Sequence, residues 1–227
     1  RWAGGVAQPS VLRRWWVWEG ERMVYLVLGY VEGQALGDRL RSTSKRPEDE
    51  ARQILTELAD VLAYAHTQGV VHRDIKPDNI MFQGGRAVLC DFGIARALDE
   101  AGGERLTQTG IAVGTPDYMS PEQAAGTQDV DGRSDIYSLG CVLYQMLAGP
   151  PPYTGVTPQA ILARKSIEAV PSLRVVRDSV PEAVEAVVNK SLAKVPADRY
   201  GKADQMAAAL AGAVSGEVIV SAVARKK

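Results

Sequence analysis

The sequence predicts an α+β fold, with two strands near the start of the chain and helices through most of the remaining residues. Two segments rich in Val, Leu, Trp and Tyr, "VLRRWWVW" and "MVYLVLGYV", lie within residues 11–31, and "EGER" between them has the composition of a turn. From residue 47 onward, apolar residues recur at helical spacing in several segments. A chain of 227 residues is long enough for one sizeable domain, or for one large and one small domain.

The first predicted helix spans residues 47–68. Pro47 suits a first helical turn, the acidic "EDE" after it suits the positive end of the helix dipole, and Gly69 suits the helix end. The apolar positions between them form a single stripe, which indicates one buried face. This stripe consists of Ala51, Ile54, Leu55, Leu58, Ala59, Leu62 and Ala65.

The remaining predicted elements are a short strand at 87–90 and helices at 134–149, 158–168, 181–193 and 203–213. The segment 134–149, "SDIYSLGCVLYQMLAG", is apolar nearly all round, which predicts a central buried helix. Residues 94–133 show little periodicity and predict a long loop region, and loops of that length are usually functional or disordered.

Composition and charge exclude several classes of protein. The formal net charge of −1 and the pI of about 6.2 argue against binding to nucleic acid or to a membrane surface. No segment reaches the roughly 20 apolar residues that a membrane-spanning helix needs, and no signal peptide is visible. Cys90 and Cys141 lie in apolar runs, which predicts buried, reduced thiols in a cytoplasmic protein. Because the chain begins with Arg1, we expect a processed or partial product whose parent could be membrane-anchored.

Three short motifs succeed one another along the chain: "HRDIKPDN" at 72–79, "DFG" at 91–93 and "SPE" at 120–122. Their order and spacing resemble the catalytic loop, the DFG segment and the A-P-E segment of protein kinases. The segments "GTPDYMSPEQ" and "GRSDIYSLGCVLYQMLAG" resemble bacterial (Hanks-type) Ser/Thr kinases in particular. A solvated polar turn is the alternative interpretation of 72–79, but it would leave the DFG segment a coincidence.

The resemblance extends from about Val11 to about Leu210 and implies a protein-kinase-like fold. Residues 1–31 would be a remnant of the small N-lobe, comprising its last two strands and the hinge. Residues 32–212 would be the mainly α-helical C-lobe, and residues 213–227 a C-terminal tail.

The resemblance also implies roles for individual residues. Asp74 would accept the proton of the acceptor hydroxyl or orient it, and Lys76 would hold the transferred phosphate. Asn79 and Asp91 would supply oxygen ligands to Mg²⁺, with ATP phosphates and water completing the shell. The implied cofactors are ATP and Mg²⁺. The nucleotide itself would contact Leu28, Tyr30, Val31, Met81 and Asp91.

Regulation is implied by Arg73, which stands directly before Asp74. Kinases with this arginine usually bind a phosphorylated activation loop through it. Thr107 and Thr109 in "RLTQTGIAVGT" resemble autophosphorylation sites, although threonine is also simply common in loops. Thr115 would contact Asp74 and Lys76 and shape the substrate groove.

Structural roles are implied for five further residues. His72 would pack beside Phe92 instead of acting as an acid or base, and Glu122 would form a buried ion pair with Arg199. Asp135 would brace the backbone of the catalytic loop, or it would be an ordinary acid at a helix N-terminus.

The chain contains no motif that fits the Gly-rich hairpin of kinases, and its first lysine is Lys45, beyond the implied hinge. We therefore expect a catalytic domain truncated in its N-lobe, with little or no activity alone. The alternatives are a noncatalytic kinase-like binding module and a non-functional gene fragment. The implied partners are proteins with Ser or Thr acceptors, with self-association through kinase surfaces possible and no nucleic acid.

Overall fold

In the computed structural model, the described residues are 14–19, 24–28, 32–92, 115–127 and 129–213, and the first two of these ranges are described for their backbone alone. Strands β1 (Arg14–Glu19) and β2 (Val24–Leu28) form an antiparallel pair, as the sequence predicts. A second antiparallel pair joins β3 (Ile80–Gln83) to β4 (Arg86–Leu89). Their connection, Gly84 and Gly85, has φ of 58° and 83°, a conformation that favours glycine.

α-Helices are the main regular structure of the described residues, and together with the strand pairs they confirm the predicted α+β fold class. The α-helices are α1 (Leu36–Ser42), α2 (Glu48–Thr67), α3 (Pro121–Ala124), α4 (Gly132–Ala148), α5 (Pro158–Ile167), α6 (Leu173–Val176), α7 (Glu182–Ser191) and α8 (Ala203–Gly212). Two 3₁₀ turns complete the set, at Pro77–Asn79 and Pro196–Asp198.

Helix α4 lies at the centre of the fold. Fourteen of its residues are buried, because its sequence is apolar on nearly every face. Helix α2 packs against α4, α8 and β4, while α7 packs against α4 from another side. The Asp135 side chain of α4 reaches the backbone of the segment 70–79, and the His66 side chain of α2 reaches Asp135.

The structure differs from the prediction chiefly in its short helices. Helices α1 and α6 have seven and four residues, too few for an apolar period to stand out in the sequence. Helix α3 lies inside the predicted loop region 94–133, where the side chains of Ser120 and Gln123 form a reciprocal cap. Helix α4 begins at Gly132, two residues before the predicted start, because Asp131 caps it by accepting from the Arg133 amide.

Both cysteines are buried and unpaired, in agreement with the prediction for them. Burial raises the pKa of the Cys90 and Cys141 thiols to about 11, so both are protonated at neutral pH. Among the helices described by the structure, none is long and apolar enough to cross a membrane.

Candidate active site

The segment between α2 and β3 carries the first sequence motif and has an unusual backbone. Arg73 has a φ of 69°, in the left-handed region that is costly for a residue with a side chain. The Asp135 carboxylate, on the first turn of α4, accepts from the His72 and Arg73 amides at 2.8 Å each. Asp135 is completely buried, so these bonds form away from water and hold the strained backbone in place.

A third donor reaches the same carboxylate from α2. His66 Nε2 lies 2.8 Å from Asp135 Oδ2. Space beside the His66 ring is restricted, because a Cβ placed on Gly132 would lie 2.6 Å from His66 Nδ1. The start of α4 therefore approaches α2 only with glycine at this position. Asp135 joins α2, α4 and residues 72–79, which we call the catalytic-loop segment, at one point.

His72 connects the same segment to the end of β4. Its Nδ1 accepts from the Asp74 amide at 3.2 Å, which leaves Nε2 to donate to the Cys90 carbonyl at 2.8 Å. Both ring nitrogens are thus occupied, and the residue is 1% exposed. The ring of Phe92 meets the His72 ring edge-on, with the centroids 4.6 Å apart. This is the packing arrangement expected from the sequence, and it leaves no ring nitrogen free for acid–base work.

Asp74 projects from this framework with a side chain that is 36% exposed. Its Oδ2 accepts from Lys76 Nζ at 2.7 Å and from Asn79 Nδ2 at 3.0 Å. Asn79 Nδ2 also donates to the Asp74 main-chain carbonyl at 2.7 Å. The three residues predicted to be catalytic therefore form one cluster, in which a carboxylate is oriented by a cation and an amide while remaining open to solvent.

Asn79 and Asp91 approach one another because Cys90 donates its amide to the Asn79 carbonyl at 2.8 Å. The Asn79 amide nitrogen is turned toward Asp74, so its Oδ1 faces away and accepts no hydrogen bond from the described residues. Asp91 comes next in the chain with a φ of 65°, another left-handed position. Two hard oxygen ligands, one buried and one partly exposed, fit Mg²⁺, which takes few protein ligands and completes its shell with phosphate and water. The described residues contain no group of three or more His, Cys, Asp or Glu that could hold a metal alone.

Met81 is one of the residues predicted to contact the nucleotide. It lies on β3 and packs against Val88 and Cys90. Its backbone forms a bridge with Ala35, just before α1. Tyr30 and Val31 lie outside the described residues, and Leu28 is described only as the last backbone position of β2.

A small cavity beside Asp74 is bounded by the segment 115–120. It is lined by Arg73, Asp74, Ile75, Thr115, Tyr118, Met119 and Ser138. Thr115 thus shares a cavity with Asp74. Its side chain forms no hydrogen bond to Asp74 or Lys76 among the described residues, so the contact expected from the sequence stays a prediction.

Glu122 and Arg199 form a bidentate ion pair, with N–O distances of 2.7 and 2.8 Å. Arg199 Nε, Nη1 and Nη2 also donate to the carbonyls of Ala193, Arg133 and Lys194. Ser134 Oγ donates to Glu122 as well. Burial raises the pKa of Glu122, but the hydrogen bonds from Arg199 and Ser134 outweigh it, and the net effect is a lowered pKa. The pair ties the end of the 115–122 segment to the helical core.

Arg73, the predicted regulatory residue, has a buried Nε without a hydrogen-bond partner in the described part of the chain. Its main-chain carbonyl accepts from Gln123 Nε2 at 2.8 Å, which links the catalytic-loop segment to α3. Thr107 and Thr109, the predicted phosphorylation sites, lie outside the described residues.

With this geometry in place, comparison with known proteins identifies the family. The family model described as the protein kinase domain matches residues 4–210. The chain belongs to the protein kinase family. The predicted resemblance to bacterial Ser/Thr kinases is confirmed by its relatives, and the predicted kinase-like fold by its structural neighbours.

The serine/threonine-protein kinase PknB of Mycolicibacterium smegmatis is 45% identical over 188 residues, which are 82% of this chain and 30% of that protein. The protein of the same name from Mycobacterium leprae is 39% identical over 222 residues, or 95% of this chain and 35% of that protein. The chain thus spans about a third of the length of these curated relatives. The crystal structure of the Mycobacterium tuberculosis PknI kinase domain is 28% identical with a TM-score of 0.70, covering 91% of this chain and 73% of that chain.

Sequence reasoning missed several residues that hold the site together. His66, in the last turn of α2, directs its ring to Asp135. Ser134 and Gln123 fall within two of the kinase-like segments and Lys165 falls in none, but no sequence pattern shows what they contact. Each bonds to the catalytic-loop segment or to residues 119–122, and these contacts join residues that are well separated in the chain.

Proposed function

We propose that this chain is the catalytic core of a serine/threonine protein kinase, which transfers the γ-phosphoryl group of ATP to Ser or Thr side chains of proteins. The observation that carries the proposal is the Asp74 carboxylate, half open to solvent and held by Lys76 and Asn79 on a braced backbone. Phosphoryl transfer depends mainly on positioning and charge stabilisation, and this cluster is suited to both.

In the proposed mechanism, Asp74 accepts a hydrogen bond from the acceptor hydroxyl and orients its oxygen toward the phosphate. Lys76 supplies a positive charge next to Asp74, where the transferred group would pass. Asn79 and Asp91 would hold Mg²⁺, which when bound neutralises phosphate charge. Met81 would lie against the nucleotide base. Asp135 and His72 contribute indirectly, because they fix the backbone from which Asp74 projects.

Regulation by phosphorylation is part of the proposal. Phosphate on Thr107 or Thr109 would find in Arg73 a cation whose Nε has no partner in the described part of the chain. A charge-assisted bond there would order the segment after Asp91.

Thr115 would line the groove for the protein substrate. We further propose that 32–212 acts as the large lobe and 1–31 as part of the small lobe, in a cytoplasmic protein. Possible self-association and the absence of nucleic acid among the partners stay predictions.

The test uses a chimaera in which the small lobe and hinge of the Mycolicibacterium smegmatis PknB replace residues 1–31. We expect the chimaera to phosphorylate a general protein substrate with Mg-ATP on Ser or Thr. Asp74→Asn should lower the rate by about 10²–10⁴-fold, the range for loss of a positioned general base. Asp78→Asn is the matched control: it makes the same chemical change in the same turn, on a side chain that is 54% exposed and bonds Arg41.

A chimaera that folds and binds Mg-ATP but shows no turnover above Asp74→Asn would refute the proposal and favour a noncatalytic binding module. Residues 1–227 expressed alone should show little or no turnover, because they include no motif that fits the Gly-rich hairpin and no lysine before Lys45. Turnover by this polypeptide that disappears in Asp74→Asn would contradict that expectation.

A further inference from the structure

Lys165 is a charged residue in a place where a charge is costly. It lies on α5 and is 1% exposed. Desolvation by burial lowers the pKa of its amine. In the part of the chain that the structure describes, it forms no salt bridge with a carboxylate. An apolar side chain of similar volume would avoid this cost of desolvation, so the amine needs a specific explanation.

The amine is directed at one main-chain atom. Lys165 Nζ donates to the Met119 carbonyl at 2.7 Å and lies 5.4 Å from the centre of the Tyr137 ring. Met119 precedes the capping residue of α3 and lines the cavity beside Asp74. The contact therefore connects α5 to the wall of this cavity.

Neighbouring residues of this wall are also held by side chains. Ser138 Oγ, on α4, donates to the Tyr118 carbonyl at 2.8 Å, and the Ser120 and Ser134 hydroxyls lie 2.9 Å apart. The segment 115–120 contains no helix or strand, so these contacts take the place of a regular hydrogen-bond ladder. Lys165 supplies the bond from α5, while the other two come from α4.

We propose that Lys165 is a positioning residue of the substrate groove, which fixes the Met119 carbonyl and thereby the cavity wall next to Asp74. The inference rests on the proposed function, since a groove for a protein substrate requires a kinase. Lys165 does not touch the reacting atoms; it acts through Met119. Its loss should weaken capture of the protein substrate without changing the chemistry at Asp74.

The first experiment is independent of catalysis. Hydrogen exchange is measured by mass spectrometry on residues 1–227, comparing Lys165→Met with the unchanged chain. The Tyr118 and Ser120 amides are hydrogen-bonded, to the Thr115 carbonyl and to Gln123 respectively, so a loosened wall exposes them. Loss of a charge-assisted hydrogen bond should speed exchange in 115–120 by about tenfold or more. Ile161→Ala is the control, because Ile161 is the other buried residue of α5.

Unchanged exchange in Lys165→Met, or an equal effect of Ile161→Ala, would overturn the positioning role. The second experiment uses the active chimaera and a peptide substrate. We expect Lys165→Met to raise KM for the peptide by about tenfold, while kcat and KM for ATP stay within about twofold. A fall in kcat at constant peptide KM would overturn the role in the groove. Failure of the chimaera with Lys165 intact would refute the proposed function and leave the exchange result to decide the link between Lys165 and Met119.

Discussion

The turn that carries Asp74 and the helical layer beneath it are both rich in polar side chains, but they differ in exposure. The Asp74 and Lys76 side chains are 36% and 21% exposed, respectively. The Arg199 side chain is fully buried, and its partner Glu122 is 14% exposed. In the first region a substrate can reach the charges. In the second they contact only other parts of the chain, so their effect is to fix geometry.

The difference shows why one small region needs so much support. Left-handed backbone at Arg73 and Asp91 costs free energy, and such strain persists only where surrounding contacts determine it. Asp135, on the buried helix α4, provides such contacts at Arg73, and the buried His72 bonds the carbonyl of Cys90, next to Asp91. The helical layer also tolerates buried charge, because the guanidinium of Arg199 has a carboxylate partner and three carbonyl partners.

The largest expected effect on stability comes from breaking the buried ion pair. Arg199→Met should lower the free energy of unfolding of residues 1–227 by about 3–5 kcal/mol, because Glu122 and three carbonyls lose their donor. Arg133→Met is the control. It removes a salt bridge to Asp131 whose side chains are 37% and 54% exposed, and such exposed pairs contribute about 0–1 kcal/mol. Urea denaturation measures both, and equal losses would contradict the distinction between buried and exposed charges.

A smaller effect is expected from the carboxylate that braces the catalytic-loop segment. Asp135→Asn keeps one acceptor oxygen but faces the Arg73 or His72 amide with an NH₂ group. We expect a loss of about 1–3 kcal/mol, the cost of a buried donor without a partner. Hydrogen exchange at His72 and Arg73 should accelerate, and the chimaera should lose rate while keeping its affinity for ATP.

Asp60→Asn, on the exposed face of α2, is the control for this substitution. It should change neither stability nor exchange. If Asp135→Asn left the exchange of the His72 and Arg73 amides unchanged, the acid would be an ordinary feature of a helix N-terminus, as the alternative from the sequence holds.

The two regions also differ in how well the sequence predicts them. Asp74, Lys76 and Asn79 fall within six consecutive positions, so a local motif is enough to place them together. Long periodic segments such as α2 and α4 are predicted to within two residues of their ends, because their apolar patterns extend over several turns. The antiparallel pair β1–β2 is predicted by its composition.

The supporting contacts are harder to predict because they depend on three-dimensional packing. Glu122 and Arg199 lie 77 positions apart, and only resemblance to a family suggests their pairing. His66 and Lys165 carry no local signal, since a histidine at a helix end and a lysine on a short helix are usually solvent-exposed. The sequence also fails to predict strand β3. Its four residues follow the motif directly, and four residues are too few for an alternation of apolar and polar side chains to be recognised.

The smallest expected effect is the part of the ion pair's contribution to stability that changes with pH. Hydrogen bonds from Arg199 and Ser134 lower the pKa of Glu122 below its ordinary value of 4.5, despite burial. A carboxylate with a lowered pKa in the folded state contributes stability above that ordinary value and loses it as the pH falls through the folded pKa. Wild type should therefore exceed Glu122→Gln in stability at neutral pH, and the two should converge in acid. Glu182→Gln is the control, because the Glu182 side chain is 86% exposed. The difference in stability between this variant and wild type should be the same at every pH. Urea denaturation at a series of pH values distinguishes these cases, and a constant gap between wild type and Glu122→Gln would mean that the Glu122 charge is not what stabilises the pair.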